Sequence, residues 1–427
     1  MTECHQRGKW VGVKPFRSAR AAGNLLRMSG TRSRDRATSH KTVPPPPAPP
    51  ALPVGEGTTF ARALWRIASA DVSAGNSVTL FDNGAKTFDA MIAMIDESRH
   101  SVVLESYILR GDSVGQRFAV SLGEAAKRGV QVRVLGDWVG SWGTPRSFHK
   151  ALRRSGVELR IFNQPGWRPW LGLVPRDHRK LLVADGAVGL TGGIGIGEQW
   201  QTGVLRRRKS PWRDTCVRIA GPAAVHLARA FEGMWRRAAG ERPARYRRRL
   251  VRAAQGADVD PDVDAPSVVG IVEGEPGKLR IGRALHLQSA AAQRSIWLAS
   301  AYFVPSFAET EALAGAARDG VDVRLLVPSK YDHPWIRRFA TRFYRRLLRN
   351  GVRIWEWRGE MMHAKTTVVD GRWVRVGSTD FNPFGVVINF ELDALIEDAA
   401  IGAEAEEMFL RDLTQSTEIR RRRGRGA

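Results

Sequence analysis

The chain has 427 residues, with 67 lysines and arginines against 43 aspartates and glutamates, a formal net charge of +24. That length allows two or three domains with sizeable cores, and the charge points to nucleic acid, an anionic bilayer or a phosphorylated substrate, unless an arginine-rich genome alone explains it. Two cysteines, Cys4 and Cys216, exclude a framework of disulfides and a four-cysteine metal site.

Residues 1–58 are basic and end in a proline run at 44–50, a composition expected to form a disordered arm and polyproline spacer. No run of about 18 apolar residues predicts a transmembrane helix, and the N-terminus lacks the apolar core of a secretory signal. From Phe60 onward the pattern alternates. Residues 77–81 read as a strand, 87–96 as a helix, 101–108 as a nearly all-apolar strand, and 118–127 as a helix stopped at Gly129. Strand 130–135, helix 147–154 and strand 157–162 complete the series. This predicts an α/β fold with a mostly parallel mixed sheet flanked by helices.

The order then repeats. Strand 295–303 matches 101–108, residues 316–326 match 125–135, and 350–354 match 155–159. The expected organisation is a first α/β domain at 59–239, a linker at 240–276, a second domain of the same kind at 277–415, and a basic tail at 416–427. The first copy carries a longer loop, 164–173, containing Trp167, Arg168, Trp170 and Leu171, a composition suited to a bilayer interface. The helix containing Arg337, Arg338 and Phe339 through Arg349 is basic with apolar residues at helical spacing, which either docks on lipid or packs its stripe on the sheet. Residues 206–209 read as a solvated basic loop, His149, His226 and His286 as structural residues of helices, and His333 as a loop residue without an assigned role.

Each copy ends in the pattern H-x-K-x-x-x-x-D-G: His178, Lys180, Asp185 and Gly186 in the first, His363, Lys365, Asp370 and Gly371 in the second. On a strand alternate side chains share a face, so each histidine and its lysine point the same way. Asp185 and Asp370 fall on the opposite parity at a tight-turn signal; their expected task is to orient a neighbour by hydrogen bonds. Small residues follow each turn, Gly192 and Gly193 in one copy and Gly377 and Ser378 before Asp380 in the other, where backbone amides can approach an oxyanion.

Two histidines and two lysines around one volume, with no cysteine- or carboxylate-rich cluster, form a phosphate cradle in preference to a metal site, and need no cofactor. Such a pair suits a two-step displacement. One imidazole attacks phosphorus while the other protonates the leaving oxygen and later activates the acceptor, and the lysines stabilise charge on the nonbridging oxygens.

The duplicated motif resembles the hallmark of the phospholipase D superfamily, and the chain looks most like its bacterial cardiolipin synthase branch. Supporting stretches are Trp212-Arg213-Asp214-Thr215, Ala301-Tyr302-Phe303-Val304-Pro305 and Asn389-Phe390-Glu391. The resemblance covers about residues 75–412. It implies two α/β domains related by a pseudo-two-fold axis, a shared active site, and metal-free transfer of a phosphatidyl group through a phosphohistidine. By that analogy His178 is the nucleophile and His363 the general acid, although the residues alone permit the reverse. The expected partners are anionic phospholipid, phosphatidylglycerol and cardiolipin, at a membrane surface, with no nucleic acid. The expected location is peripheral, on the cytoplasmic side of the cell membrane. Two positions depart from the family pattern, which has asparagine where Gly195 and Asp380 stand; Asn382, two residues on from Asp380, is a partial substitute for an asparagine ligand. Hydrolysis, or phosphodiester cleavage of nucleic acid, is the alternative activity, and a binding protein without turnover is the non-enzymatic one.

Overall fold

The computed structural model describes residues 58–164, 175–201, 210–241, 267–332 and 334–420. The proline-rich arm, loop residues 165–173, the basic run 206–209, His333 and residues 421–427 of the tail lie outside the described residues. The first repeat begins with α1 (Thr58–Ala68), β1 (Asp71–Phe81), α2 (Gly84–Glu97), β2 (Ser101–Ser106), α3 (Ser113–Lys127), β3 (Gln131–Asp137), α4 (Arg146–Arg154) and β4 (Glu158–Phe162). It closes with β5 (Lys180–Ala184), β6 (Val188–Gly192), β7 (Cys216–Ala220) and α5 (Pro222–Ala238). The second repeat begins with β8 (Ser267–Gly274), α6 (Arg280–Ala291), β9 (Ser295–Ser300), α7 (Phe307–Arg318), β10 (Asp322–Pro328), α8 (Pro334–Arg349) and β11 (Arg353–Trp357). It closes with β12 (Lys365–Val369), β13 (Trp373–Gly377), β14 (Glu391–Glu397), α9 (Ala399–Thr414) and β15 (Ser416–Ile419).

All fifteen strands join one sheet, in the order β15-β11-β10-β9-β12-β13-β14-β8-β1-β7-β6-β5-β2-β3-β4. Read outward from the central β8–β1 pair, the two sides list equivalent strands in the same sequence. The fold is therefore a mixed α/β sheet with a duplicated half, but it is not mostly parallel. Only β2-β3-β4 and β9-β10-β11 pair in parallel. The central strands are antiparallel because each motif strand leaves through a two-residue turn. Asp185 (φ 52°) with Gly186 (φ 68°), and Asp370 (φ 52°) with Gly371 (φ 62°), both take left-handed backbone. Two successive positive φ values make the tight hairpin whose twist matches the flanking strands, and a hairpin returns antiparallel.

Two segments differ from the sequence expectation. Residues 267–274, read as linker, form β8 and pair with both β1 and β14. Residues 416–419, read as tail, form β15 on the edge strand β11. The basic helix α8 buries Ala340, Tyr344 and Leu347 in the core, so its apolar stripe packs on the sheet while Arg338, Arg342 and Arg345 face outward.

Candidate active site

Backbone exchange between the repeats places the site. The His178 N–H donates to the Phe390 carbonyl (2.9 Å), and the Phe390 N–H donates to the Arg176 carbonyl (2.9 Å). The mirror image joins His363 N–H to the Arg213 carbonyl (2.7 Å) and Arg213 N–H to the Met361 carbonyl (2.8 Å). Each motif thus pairs with the segment that leads into the last central strand of the other repeat. Each of those segments carries one carboxylate inward, Asp214 just before β7 and Glu391 at the start of β14.

The carboxylates are exchanged between repeats as a result. His178 Nδ1 lies 3.0 Å from Glu391 Oε2, and His363 Nδ1 lies 2.7 Å from Asp214 Oδ2. A carboxylate on Nδ1 fixes the ring and its tautomer, which turns Nε2 toward the reaction volume. Tyr107 and Tyr302, equivalent in the repeats, meet His178 and His363 edge-on, with centroids 4.9 and 6.0 Å apart. The ammonium groups of Lys180 and Lys365 lie 5.3 and 5.7 Å from the same two tyrosine rings. Both histidines open onto one cavity of about 660 Å³, which Lys180, Asp380, Asn382 and Glu391 also line.

The half-sites are not identical. The His178 side chain is 14% exposed and that of His363 only 5%. Trp200 and Trp212 pack on His363 at 5.7 and 5.4 Å, and the Trp200 indole N–H donates to Asp214 Oδ2 at 3.0 Å. Lys365 Nζ reaches His363 Nε2 at 3.0 Å and the His363 carbonyl at 2.7 Å. Lys180 Nζ instead donates to the His178 carbonyl.

Protonation follows from these contacts. Burial, with Lys180 and Lys365 adding like charge, holds the His178 imidazole well below its usual range. Burial and Lys365 lower His363 as well, against the pull of Asp214. Burial lifts the Glu391 carboxyl to about 8 despite the opposing charge of Lys180. Burial also pushes Asp214 upward, but His363 and Lys365 outweigh it and hold Asp214 below the ordinary carboxylate value. Lys180 is pulled down to about 8 by burial, against Glu391. The two carboxylates are therefore shifted in opposite directions, Asp214 toward its ionised form and Glu391 toward its protonated form.

Asp185 and Asp370 stand outside the cavity lining. Asp185 accepts from the N–H groups of Arg99, His100 and Ser101 at 2.7–2.9 Å, and Asp370 accepts from Gln293, Arg294 and Ser295 at 2.8–3.0 Å. Each clamps the hairpin turn to the start of the neighbouring strand, so they orient structure and do not touch the site. Gly192 and Gly193 also lie outside the lining. A Cβ on Gly193 would meet Asp214 Oδ1 at 2.1 Å, so the glycine makes room for the carboxylate. Ser378 Oγ donates to Glu391 Oε2. Asp380 accepts from Tyr302 N–H at 3.2 Å and lies 3.5 Å from Lys365, which supplies its countercharge. Asn382 has both amide groups engaged, with Tyr302 O at 3.2 Å and Gly385 N–H at 2.9 Å. At Gly195 a Cβ would meet Ile108 Cβ at 3.0 Å and the Trp200 ring at 3.1 Å; glycine lets Trp200 reach Asp214.

Sequence reasoning gave no role to Glu391, Asp214, Tyr107, Tyr302, Trp200 or Trp212. The mark of the carboxylates in the sequence is that both lie in stretches that carry the family resemblance, and the strand register relates the two. Asp214 and Glu391 each stand two residues before the position that pairs with the glycine ending the hairpin, Cys216 with Gly192 and Asp393 with Gly377.

Comparison with known proteins agrees with this geometry. The family model described as "Cardiolipin synthase, PLD-like domain" matches residues 91–235 and 287–413, once in each repeat. Cardiolipin synthase A of Pseudomonas putida is 32% identical over 379 residues, 86% of this chain and 75% of that protein. Cardiolipin synthase of Geobacillus kaustophilus (strain HTA426) is 33% identical over 350 residues, 78% of this chain and 66% of that protein. Among solved structures, phosphatidylserine synthase of Haemophilus influenzae Rd KW20 superposes with a TM-score of 0.63 at 14% identity, over 84% of this chain and 92% of that one. The chain belongs to the phospholipase D superfamily, in its cardiolipin synthase branch.

Proposed function

We propose that the chain is a phosphatidyltransferase of the phospholipase D type that moves a phosphatidyl group from a phospholipid to an alcohol, and makes cardiolipin when that alcohol is the glycerol headgroup of phosphatidylglycerol. The observation that carries this reading is the pair of imidazoles in one cavity, each with Nδ1 held by a carboxylate of the other repeat. His178 is the nucleophile. Its Nε2 attacks phosphorus, the bond to the leaving glycerol oxygen breaks, and His363 donates the proton that the oxygen takes. In the second step His363 removes the proton of the incoming hydroxyl, that oxygen attacks phosphorus, and the bond to His178 breaks. Lys180 and Lys365 offset the charge that builds on the nonbridging oxygens.

His363 suits the acid role because Asp214, held toward its ionised form, favours the charged imidazole, while Lys365 Nζ lies against Nε2. A phosphate arriving in the cavity draws the Lys365 ammonium away, which frees Nε2 and raises the affinity of the ring for a proton. His363 thereby becomes an acid only when substrate is present. Asp185 and Asp370 position the motif strands, while Gly193, Ser378, Asp380 and Asn382 shape the carboxylates and lysine around the phosphate.

The enzyme works at a membrane surface. Among the described residues no helix is long and apolar enough to cross a bilayer. Phe384 on the cavity wall is 52% exposed, and Phe339 on α8 is 43% exposed among outward-facing arginines. Exposed aromatics beside cations match the headgroup region of an anionic leaflet, and the expected leaflet is the cytoplasmic one. Incubation with labelled phosphatidylglycerol in vesicles tests the activity: cardiolipin and free glycerol are the expected products. Phosphatidic acid alone would make the protein a hydrolase, and cleavage of DNA without lipid turnover would refute the lipid assignment.

A further inference from the structure

A second cavity, of about 380 Å³, lies beside the catalytic one. The turn at 138–141 divides them: Val139 and Gly140 line the catalytic cavity, and Trp138 and Ser141 line the second. Among the described residues the second cavity is lined by Arg146, His149, Lys150 and Arg153 and by no carboxylate. Arg146, Lys150 and Arg153 recur at helical spacing on one face of α4, where like charges repel unless an anion sits between them. Arg146 and Lys150 are exposed and have no ion-pair partner among the described residues.

Three further features lack a partner in the same place. The α4 N-terminus has Pro145 as its cap, with no side-chain cap bond and no acidic residue in its first turn. Ser141 is 6% exposed, and its Oγ is buried in this lining without a hydrogen bond. The His149 Nε2 is likewise buried and unpartnered. Buried hydroxyls and ring nitrogens are ordinarily satisfied, so the lining is short of an oxygen-rich anion. Trp142, 65% exposed, stands at the rim and meets Trp138 edge-on at 4.6 Å, as tryptophans do at the headgroup level of bilayers.

We propose that this cavity binds the phosphodiester headgroup of an anionic phospholipid that does not react, and so holds the catalytic cavity against the bilayer. Arg146 and Lys150 would contact the phosphate, Ser141 and His149 the headgroup hydroxyls, and Trp142 the interface. The proposal shares the membrane setting of the proposed function but does not depend on turnover, because its readout is binding. The full chain and its Arg146→Ala/Lys150→Ala variant are compared for partition onto phosphatidylglycerol-containing and pure phosphatidylcholine vesicles. The variant is expected to bind the anionic vesicles about 30-fold more weakly, at roughly five-fold for each basic residue, with turnover of monomeric short-chain phosphatidylglycerol unchanged. A charge-matched control, Arg62→Ala/Arg66→Ala on α1, where both arginines are exposed, is expected to retain binding. Equal losses in the two variants would show diffuse charge attraction and overturn the site. Loss of inorganic phosphate binding in the Arg146→Ala/Lys150→Ala variant, with vesicle binding intact, would assign the cavity to free phosphate and overturn the lipid assignment.

Discussion

His178 and His363 occupy equivalent places in the two repeats, each fixed by a carboxylate lent by the other repeat, yet their surroundings diverge. His363 is sealed by Trp200 and Trp212, backed by ionised Asp214 and covered at Nε2 by Lys365. His178 is more open, backed by Glu391, whose carboxyl burial raises to about 8, with its lysine turned to the backbone. A symmetric fold thus brings the groups together, and the unequal shells fit the proposed division of labour between nucleophile and acid. Burial decides most of that inequality: it lifts Glu391 to about 8, whereas the same burial around Asp214 is outweighed by the adjacent His363 and Lys365.

The widest test of this division removes each imidazole. His178→Ala and His363→Ala should each lower turnover by about 10⁴-fold, but only His363→Ala should still release a good leaving group such as p-nitrophenol from an activated phosphatidyl ester, measured as a burst. Next come the carboxylates. Asp214→Asn removes a charge that supports the acid and should cost about 10²-fold in kcat, while Glu391→Gln resembles the proton-bearing form and should cost less than about 10-fold; equal losses would erase the difference between the half-sites.

The pH profile gives a finer comparison. Lys180 carries its charge below about 8 and loses it above, and Glu391 is protonated below about 8 and ionises above. Turnover should fall as pH rises through 8, because Lys180 then loses the charge that offsets the nonbridging oxygens. In Lys180→Arg, whose side chain stays charged, the alkaline limb should move upward. The smallest effects concern stability. Gly195→Asn would crowd Ile108 and Trp200 and should destabilise by about 1–3 kcal/mol, read by denaturant unfolding. Asp185→Ala removes the acceptor of three N–H groups that water can reach in part and should cost about 1 kcal/mol. Because those N–H groups, against partial burial, hold Asp185 below the usual carboxylate value, its stabilising share is lost as pH falls through that lowered value.

Much of this was legible in the chain because it is written locally. Glycines at 129, 156, 320 and 351 take positive φ where helices end, and period-two alternation put each lysine on the side of its histidine. The orienting task expected of Asp185 and Asp370 follows from their place at a turn, and their hydrogen bonds agree with it. What escaped depends on distant pairing. The antiparallel centre joins the two hairpins through β7, β1, β8 and β14, and β8 has its partners β1 and β14 far away in sequence. The exchange of Asp214 to His363 spans 149 residues, and that of Glu391 to His178 spans 213; no local period marks either carboxylate. Gly195 stood out only as a departure from the family's asparagine, whereas the fold uses its small size to seat Trp200 against Asp214.

The most direct test of the division of labour is the site of the covalent intermediate. Protein mixed with phosphatidylglycerol and quenched in alkali, where phosphoramidates survive, can be digested and mapped by mass spectrometry. A phosphatidyl adduct on the peptide containing His178, enriched in His363→Ala and absent from His178→Ala, is the predicted result. An adduct on His363, or turnover with no adduct on either histidine, would contradict it.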